Sequence, residues 1–214
     1  EKLMDETLFR KIIDDLAKVN WKGEIAPNFY GEPMLDPRLL DFVAYAHDQL
    51  PDSRIVLFTN GDFLSIEFYK KLVQKGVGRF VITHHPPDHP TAIEAIKQVL
   101  RYREEFGDDH VLMKYSKLTK ITQRSGISVG ESINDDYCRS QTLNKIGVHW
   151  DGEVIFCCND YYVTTKFGNA KDERLIDIWK KPYYQKVRNG IKKGQFMLQT
   201  CKDCRAGIPP KVPE

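Results

Sequence analysis

The segment from Cys138 to Cys204 contains all five cysteines of the chain: Cys138, the adjacent pair Cys157-Cys158, and the motif Cys201-Lys-Asp-Cys204. Thiols confined to one third of a chain are expected to act as ligands rather than as scattered core residues. An odd number of cysteines, two of them adjacent, does not suit a disulfide framework. We therefore expect reduced thiols and a cytoplasmic location.

The chemistry of thiolate ligands narrows what this segment can bind. Four thiolates are soft ligands that select zinc or an iron–sulfur cluster. A Cys-x-x-Cys motif suits either, whereas a zinc ribbon usually has two such motifs and this chain has one. The cysteines alone leave zinc, an iron–sulfur cluster and buried structural cysteine open.

Composition excludes several classes of protein. The chain has 214 residues, of which 41% are hydrophobic and 29% charged, as expected for a globular protein of one or two domains. A net charge of +2 without a basic block does not indicate nucleic-acid binding. No apolar run reaches the ~18 residues that a membrane span needs, so we expect no membrane insertion.

The cysteine segment also carries local structure signals. Residues 145–150 and 154–158 alternate in polarity around Asp151-Gly152, which predicts a β-hairpin. Two short helices are predicted over 173–180 and 182–193, and a loose tail over 209–214.

The cysteine-free part alternates helices and strands. Helices are predicted over 2–19, 36–50, 65–75 and 91–106, and strands over 23–30, 55–58, 79–83 and 110–115. Asp36 and Ser65 are the expected N-caps of two of these helices. Strands and helices in this order predict an α/β fold with a parallel sheet and right-handed crossovers.

Polar segments follow three of the predicted strands: Gly31-Glu32-Pro33, Thr59-Asn60-Gly61 and Thr83-His84-His85. In parallel α/β sheets and barrels the functional site lies at the carboxyl ends of the strands. These three segments are therefore the candidate site of the first part of the chain. Residues 121–137 lack periodicity and form a candidate linker, in which Arg124 is a candidate for binding a substrate carboxylate or phosphate, or for acting near a reacting hydroxyl.

The spacing around the cysteines resembles one known domain. Four residues separate Gly152 from Cys157. Further along the chain follow Phe167-Gly-Asn169, Leu175-Ile-Asp-Ile-Trp179, Arg188 and the final Cys-x-x-Cys. This pattern resembles the auxiliary-cluster domain of radical S-adenosylmethionine enzymes, named SPASM, and its short form, named twitch. The resemblance implies one four-iron, four-sulfur cluster held by Cys138, Cys157, Cys201 and Cys204, with Cys158 as the alternative to Cys157.

The first part of the chain resembles the partial (β/α)6 TIM-like barrel of the same superfamily, without its first strand and cluster loop. The resemblance implies that Gly31, Glu32 and Pro33 bind the amino group of S-adenosylmethionine, and that Thr59, Asn60, Gly61 and Thr83 face this cofactor. His84 and His85 depart from the serine that is usual there and are candidates for substrate contact. The implied domains are 1–120 for the barrel, 121–137 for the linker, 138–208 for the cluster domain and 209–214 for the tail.

One motif of the superfamily is absent from this sequence: the Cys-x3-Cys-x2-Cys that holds the reductive cluster. The chain begins at Glu1, in a segment that resembles the residues following that motif. We expect the motif upstream in the intact protein, and we expect the fragment alone to be unable to cleave the cofactor.

The resemblance implies a radical S-adenosylmethionine enzyme. An external donor such as flavodoxin or ferredoxin would supply an electron to the reductive cluster, and the cluster would pass it to S-adenosylmethionine. The cofactor would then release a 5′-deoxyadenosyl radical that abstracts hydrogen from a peptide or small-molecule substrate. The auxiliary cluster would accept an electron or anchor the substrate. Two alternatives remain: a non-catalytic binding or scaffold protein with structural zinc or iron–sulfur, and a zinc-stabilised α/β enzyme of another class.

Overall fold

A computed structural model describes residues 2–84, 97, 98, 100, 101, 103, 104, 111–115, 138 and 141–206. Contacts divide the chain into two compact units: Leu16–Leu118 is one, and Glu1–Asp15 with Thr119–Glu214 form the other. Arg124, His85, the linker over 121–137 and the tail over 209–214 lie outside the described residues, as do most of the helix predicted over 91–106 and the side chain of His84.

The unit Leu16–Leu118 is built on a parallel sheet. Its described strands are β1 (Glu24–Ile25), β2 (Arg54–Thr59), β3 (Val77–His84) and β4 (Val111–Tyr115), paired in that order. Leu57 of β2 and its register partner Phe80 of β3 are fully buried on one face of the sheet, and Val81, on the other face of β3, is buried as well, so β3 is covered on both faces. The predicted α/β fold with a parallel sheet is confirmed, whereas closure of a six-unit barrel stays a prediction.

Strand β1 is shorter than the predicted strand over 23–30. After Ile25 the chain leaves the ladder before Pro27, which has no N–H to donate. Asn28 then pairs with β2 through its side chain: Nδ2 donates to the carbonyl of Phe58 at 3.2 Å, and Oδ1 accepts from the Phe58 N–H at 3.5 Å. A side-chain amide thus replaces the backbone ladder next to the first predicted cofactor segment.

The helices are α1 (Glu6–Ala17), α2 (Leu39–Gln49) and α3 (Ile66–Gln74), with a 3₁₀ turn at Pro33–Leu35. The predicted N-cap of α3 is confirmed, because Ser65 Oγ accepts from the Phe68 N–H at 3.1 Å. The predicted N-cap of α2 is wrong. The helix begins at Leu39 with Arg38 at the N-cap position, and in the turn before it the Asp36 carboxylate accepts from both the N–H and the guanidinium of Arg38. That pairing lowers the pKa of Asp36.

The second unit contains the cysteines. Its described elements are most of α1, a 3₁₀ turn at Gln141–Asn144, strands β5 (Gly147–Val148) and β6 (Val154–Ile155), and helices α4 (Leu175–Lys180), α5 (Pro182–Lys192) and α6 (Gln199–Ala206). The predicted hairpin is confirmed with shorter strands. The described helices contain none that is long and apolar enough to cross a membrane.

Residues 1–15, assigned from the sequence to the first domain, group by contacts with the cysteine region. The Lys11 ammonium shows why: it donates to the carboxylate of Asp15 at 2.9 Å and to the carbonyl of Glu173 at 3.1 Å. The first helix is thereby fastened to the start of α4. The domain bounds given from the sequence stay a prediction.

The hairpin turn depends on the absence of a side chain at Gly152. Its φ is +94°, a left-handed conformation, and a Cβ there would collide with Oδ1 of Asn169. That oxygen is already fixed, because it accepts from the Lys171 N–H at 2.9 Å. The backbone conformation and the close packing against Asn169 therefore both require glycine at position 152, the first residue of the Gly-x4-Cys spacing.

We predict that Gly152→Ala destabilises the chain by about 1–3 kcal/mol, since the substitution adds both backbone strain and a collision. Gly194→Ala is the matched control, because Gly194 has a similar φ of +73° at the end of α5. The free energy of unfolding, measured by urea denaturation of both variants, should fall further for Gly152→Ala. Equal losses would show that the contact with Asn169 contributes nothing.

Candidate cofactor and metal sites

The carboxylate of Glu32 joins two of the three predicted cofactor segments. Its Oε1 accepts from the hydroxyl of Thr59 at 2.7 Å and from the Met34 N–H at 3.3 Å, and its Oε2 accepts from the Asn60 N–H at 2.9 Å. Hydrogen bonds to an ionised carboxylate are stronger than neutral ones. One side chain therefore fixes the segment after β1 against the segment after β2.

The segment Thr59-Asn60-Gly61 is also held by its own side chains. The buried Thr59 hydroxyl oxygen accepts from the Gly61 N–H at 3.0 Å, and Asn60 Oδ1 accepts from the Asp62 N–H at 3.0 Å. Gly61 has a φ of +84°, which only glycine adopts freely. The loop is thus pre-formed rather than dependent on a ligand.

Thr83 lies at the same edge of the sheet on the neighbouring strand. Thr59 pairs with Ile82 in the parallel register, so Thr83 is one residue beyond that pair. The structure therefore brings Glu32 into contact with Thr59 and Asn60, and places Thr83 on the adjoining strand. Their roles towards a cofactor stay predictions.

Sequence reasoning missed the exposed apolar side chains beside these segments. Phe29, Phe58 and Phe63, together with Leu35, are exposed although they are large and hydrophobic. Phe58 ends the continuously apolar run Ile55–Phe58 of β2, and such a run is typical of a strand that is buried on both faces. Phe58 directly precedes Thr59 in the sequence, and Phe29 and Phe63 are two residues from Gly31 and Gly61, respectively. This closeness to the loop residues was the signal that could have marked the three rings as candidates for ligand contact. Exposed aromatic residues next to pre-formed polar loops suit a ligand with an apolar face.

In the second unit, two elements supply four of the cysteines. Cys201 and Cys204 lie three residues apart on α6, which puts them on one face of the helix. Cys157 and Cys158 follow β6 directly after the buried Phe156. All five cysteines of the chain, Cys138 included, are half-buried.

The electrostatics show that several thiols are neighbours. Burial raises the pKa of Cys201 to about 12, helped by the charges of Cys138, Cys204 and Asp160. Burial also raises the pKa of Cys204, with Cys138 and Cys158 acting in the same direction and a hydrogen bond from Asn159 opposing it. A bound metal centre would lower the pKa of these thiols instead, because a cation favours the thiolate form.

The loop after the cysteine pair is organised by Asn159 and Asp160. Asn159 donates from its backbone to Cys157 Sγ at 3.4 Å and from Nδ2 to Cys204 Sγ at 3.1 Å. Asp160 is only 2% exposed and accepts from the N–H of Thr164 at 2.8 Å and of Thr165 at 3.0 Å. The buried Asp160 carboxylate therefore orients the loop that follows the cysteine pair.

Among the described residues, no three histidine, cysteine, aspartate or glutamate side chains converge closely enough to hold a single metal ion in this conformation. The donor set nevertheless suits a thiolate-bound cluster, because Asn159 donates an N–H to Cys157 and another to Cys204, and Cys201 lies on the same face of α6 as Cys204. The ligand set of Cys138, Cys157, Cys201 and Cys204, with Cys158 as alternative, stays a prediction.

We predict that Cys201 of the metal-free folded chain reacts with iodoacetamide at pH 8.5 at least about tenfold more slowly than the same residue in urea, because the thiolate is the reactive form. Its pKa of about 12 replaces an ordinary value of 9.0, so the rate in the folded chain should still rise between pH 9 and pH 12. Mass spectrometry of the Cys201 peptide measures both rates. A folded-state rate that levels off near pH 9 would contradict the assigned burial.

Comparison with known proteins bears on both units. Residues 138–205 match SPASM, an iron–sulfur cluster-binding domain. The "S-adenosyl-L-methionine-dependent 2-deoxy-scyllo-inosamine dehydrogenase" of Niallia circulans is 27% identical over 209 residues, which is 94% of this chain and 80% of the relative. The "Tungsten-containing aldehyde ferredoxin oxidoreductase cofactor-modifying protein" of Pyrococcus furiosus is 25% identical over 94% of this chain and 79% of its own length.

Solved structures agree with the sequence comparison. The crystal structure of BtrN in complex with AdoMet and 2-DOIA superimposes with a TM-score of 0.75 at 25% identity, over 89% of this chain and 75% of that chain. The resemblance stated from the cysteine spacing and the α/β pattern is therefore confirmed in both parts of the chain.

Proposed function

We propose that this chain, a radical S-adenosylmethionine protein with a C-terminal SPASM domain, binds S-adenosylmethionine in its first unit and one four-iron, four-sulfur cluster in its second. The observation that carries the proposal is the Glu32 carboxylate, which joins the two predicted cofactor segments. As part of the intact protein, it acts in hydrogen abstraction from a substrate by a 5′-deoxyadenosyl radical.

Glu32 has acceptor capacity left for the cofactor. An ionised carboxylate offers about four lone-pair positions. Thr59, Met34 and Asn60 use three of them, which leaves one position on Oε2 for the ammonium group of the methionine moiety. The exposed rings of Phe29, Phe58 and Phe63 are available to stack on the adenine.

The second unit holds the auxiliary cluster through thiolates on two elements. Cys201 and Cys204 of α6 act with Cys138 and Cys157, and the Asn159 donors stabilise the thiolate form of Cys157 and Cys204. When bound, such a cluster supplies a one-electron acceptor or an anchor for substrate. The chain's own share is to orient that centre and to exclude water from it.

The name of one relative supports a substrate class. The Niallia circulans relative is named as a dehydrogenase of 2-deoxy-scyllo-inosamine. We therefore propose dehydrogenation of a small hydroxylated molecule, with a peptide substrate as the second candidate. Arg124, flavodoxin or ferredoxin as electron donor and a cytoplasmic location belong to this proposal as well.

We predict that Glu32→Gln weakens binding of S-adenosylmethionine by about tenfold, since an amide nitrogen cannot accept from the loop or from an ammonium. Glu24→Gln is the matched control: Glu24 lies on β1 in the same unit and makes only exposed pairs with Arg54 and Arg79. Equilibrium dialysis of the anaerobically loaded chain against labelled cofactor measures both affinities. Equal affinities for the two variants would remove Glu32 from the site.

The scaffold alternative makes a different prediction. A non-catalytic protein with structural zinc or iron–sulfur would not bind S-adenosylmethionine at all, and the intact protein would form no 5′-deoxyadenosine on reduction. Detection of 5′-deoxyadenosine from the intact, reduced protein therefore supports the enzyme, and its absence from a fully loaded protein supports the scaffold.

A further inference from the structure

The loop that follows the cysteine pair is strained. Val163, a β-branched residue, has a φ of +54°, a left-handed conformation that such residues rarely adopt. Two groups of Asp160 hold the loop in this form: its buried carboxylate accepts from the N–H groups of Thr164 and Thr165, and its carbonyl accepts from the Val163 N–H at 3.1 Å. Backbone strain persists where the surrounding contacts determine the conformation, and it is common next to functional sites.

The same loop contacts α6 at two points. The side chain of Asn159 donates from Nδ2 to Cys204 Sγ at 3.1 Å, and the hydroxyl of Thr164 lies 3.1 Å from the hydroxyl of Thr200. Asn159 and Cys204 are 45 residues apart in the sequence, so this hydrogen bond joins two separate elements. Because Asp160 holds the loop independently of both contacts, the amide of Asn159 is presented to α6 from a fixed support.

Asn159 contacts a second sulfur through its backbone. Its N–H donates to Cys157 Sγ at 3.4 Å, so one residue supplies donors to sulfurs at the end of the hairpin and on α6. The sulfur of a neutral thiol is a weak acceptor. Hydrogen bonds to an ionised acceptor are shorter and about twice as strong as neutral ones. The two donors are therefore best used by sulfurs that carry negative charge.

We propose that Asn159 is a positioning residue that directs two N–H groups at the sulfurs of Cys157 and Cys204 and thereby raises the reduction potential of the bound auxiliary cluster. Reduction adds one electron, and part of the added negative charge lies on the cysteine sulfurs. Donors aimed at those sulfurs stabilise the reduced state more than the oxidised state. The inference rests on the proposed function, because it requires a cluster in this unit.

The assignment also separates the two roles proposed for the auxiliary cluster. A residue that stabilises the reduced state makes the cluster a better one-electron acceptor, whereas anchoring a substrate does not depend on the potential. Asn159 itself does not bind iron. Its position beside two of the proposed ligands therefore favours electron acceptance as the role of this centre.

The first test compares Asn159→Ala with Thr200→Ala in the anaerobically loaded chain. Asn159→Ala removes the side-chain donor, whereas Thr200→Ala removes the other contact between the loop and α6 and leaves both donors in place. Asn159→Ala should lower the equilibrium constant for one-electron reduction of the cluster by about tenfold, or about 59 mV, and Thr200→Ala should leave it unchanged. An anaerobic redox titration followed by electron paramagnetic resonance measures both potentials.

The second test uses the wild-type chain, so it does not depend on whether a variant keeps its cluster. Asparagine labelled with ¹⁵N in the side-chain amide is incorporated, and the reduced cluster is studied by pulsed electron paramagnetic resonance. Because Nδ2 of Asn159 lies 3.1 Å from Cys204 Sγ, a ¹⁵N hyperfine coupling should appear. The coupling should be absent from Asn159→Gln, in which the amide is kept on a longer side chain without the label.

The outcomes separate the possibilities. A lower potential in Asn159→Ala but not in Thr200→Ala, together with the ¹⁵N coupling, supports the inference. An unshifted Asn159→Ala, equal shifts in the two variants, or a wild-type spectrum without the coupling overturns it. If Asn159→Ala loses its iron, the wild-type spectrum decides in the same way. A wild-type chain that binds no iron defeats the proposed function itself, and this result is distinguishable because it appears before any variant is made.

Discussion

The cysteine-bearing unit depends on the aromatic packing around Tyr184. The ring contacts Phe156 at the end of the hairpin, Phe167 in the following loop and Trp179 of α4, with centroids 4.3–6.0 Å apart. These contacts hold together the elements that carry Cys157 and Cys158 and the helices that lead to Cys201 and Cys204. Aromatic burial of this size contributes much of the energy of a small core. Apolar packing therefore positions the elements that carry the thiols, and the hydrogen bonds of Asn159 and Asp160 fix the loop after the cysteine pair.

Both candidate sites use a carboxylate to fix a loop. Glu32 accepts from two segments at the carboxyl edge of the parallel sheet, and Asp160 accepts from two successive N–H groups after the cysteine pair. In each case the carboxylate accepts hydrogen bonds from loop donors that have no partner within a strand or a helix. A loop organised in this way keeps its shape before a ligand binds, which lowers the entropy lost on binding.

Much of this organisation was predictable from local signals. The hairpin signalled by Asp151-Gly152, the Ser65 cap and the alternation of strands and helices are short-range features, and the structure confirms them. The hairpin loop has three residues and not two, because the Gly152 N–H donates to the carbonyl of His149 and the His149 N–H donates to the carbonyl of Glu153. The predicted helix start at Asp36 was wrong, because a turn in which the Asp36 carboxylate accepts from the N–H and the guanidinium of Arg38 comes before the first residue of α2. Strand β1 was overestimated because Asn28 pairs through its side chain, which no backbone pattern reports.

The candidate sites themselves were only partly readable. The residues Glu32, Thr59 and Asn60 were identifiable by their positions after strands, but their mutual hydrogen bonds depend on sheet register. The hydrogen bond from Asn159 to Cys204 was not predictable at all, because it joins residues 45 apart and depends on how the loop after the cysteine pair packs against α6. The cysteine spacing was enough to indicate the resemblance to the SPASM domain. The choice between Cys157 and Cys158 depends on distances that sequence spacing does not contain.

The central claim is that Cys138–Cys204 holds one four-iron, four-sulfur cluster. Mössbauer spectroscopy of the anaerobically loaded, ⁵⁷Fe-labelled chain, combined with analysis of iron, sulfide and zinc, tests it most directly. The account predicts the spectrum of one four-iron cluster, iron and sulfide in equal amounts, and loss of both in Cys201→Ala but not in Cys158→Ala. Zinc at one per chain without iron would contradict it.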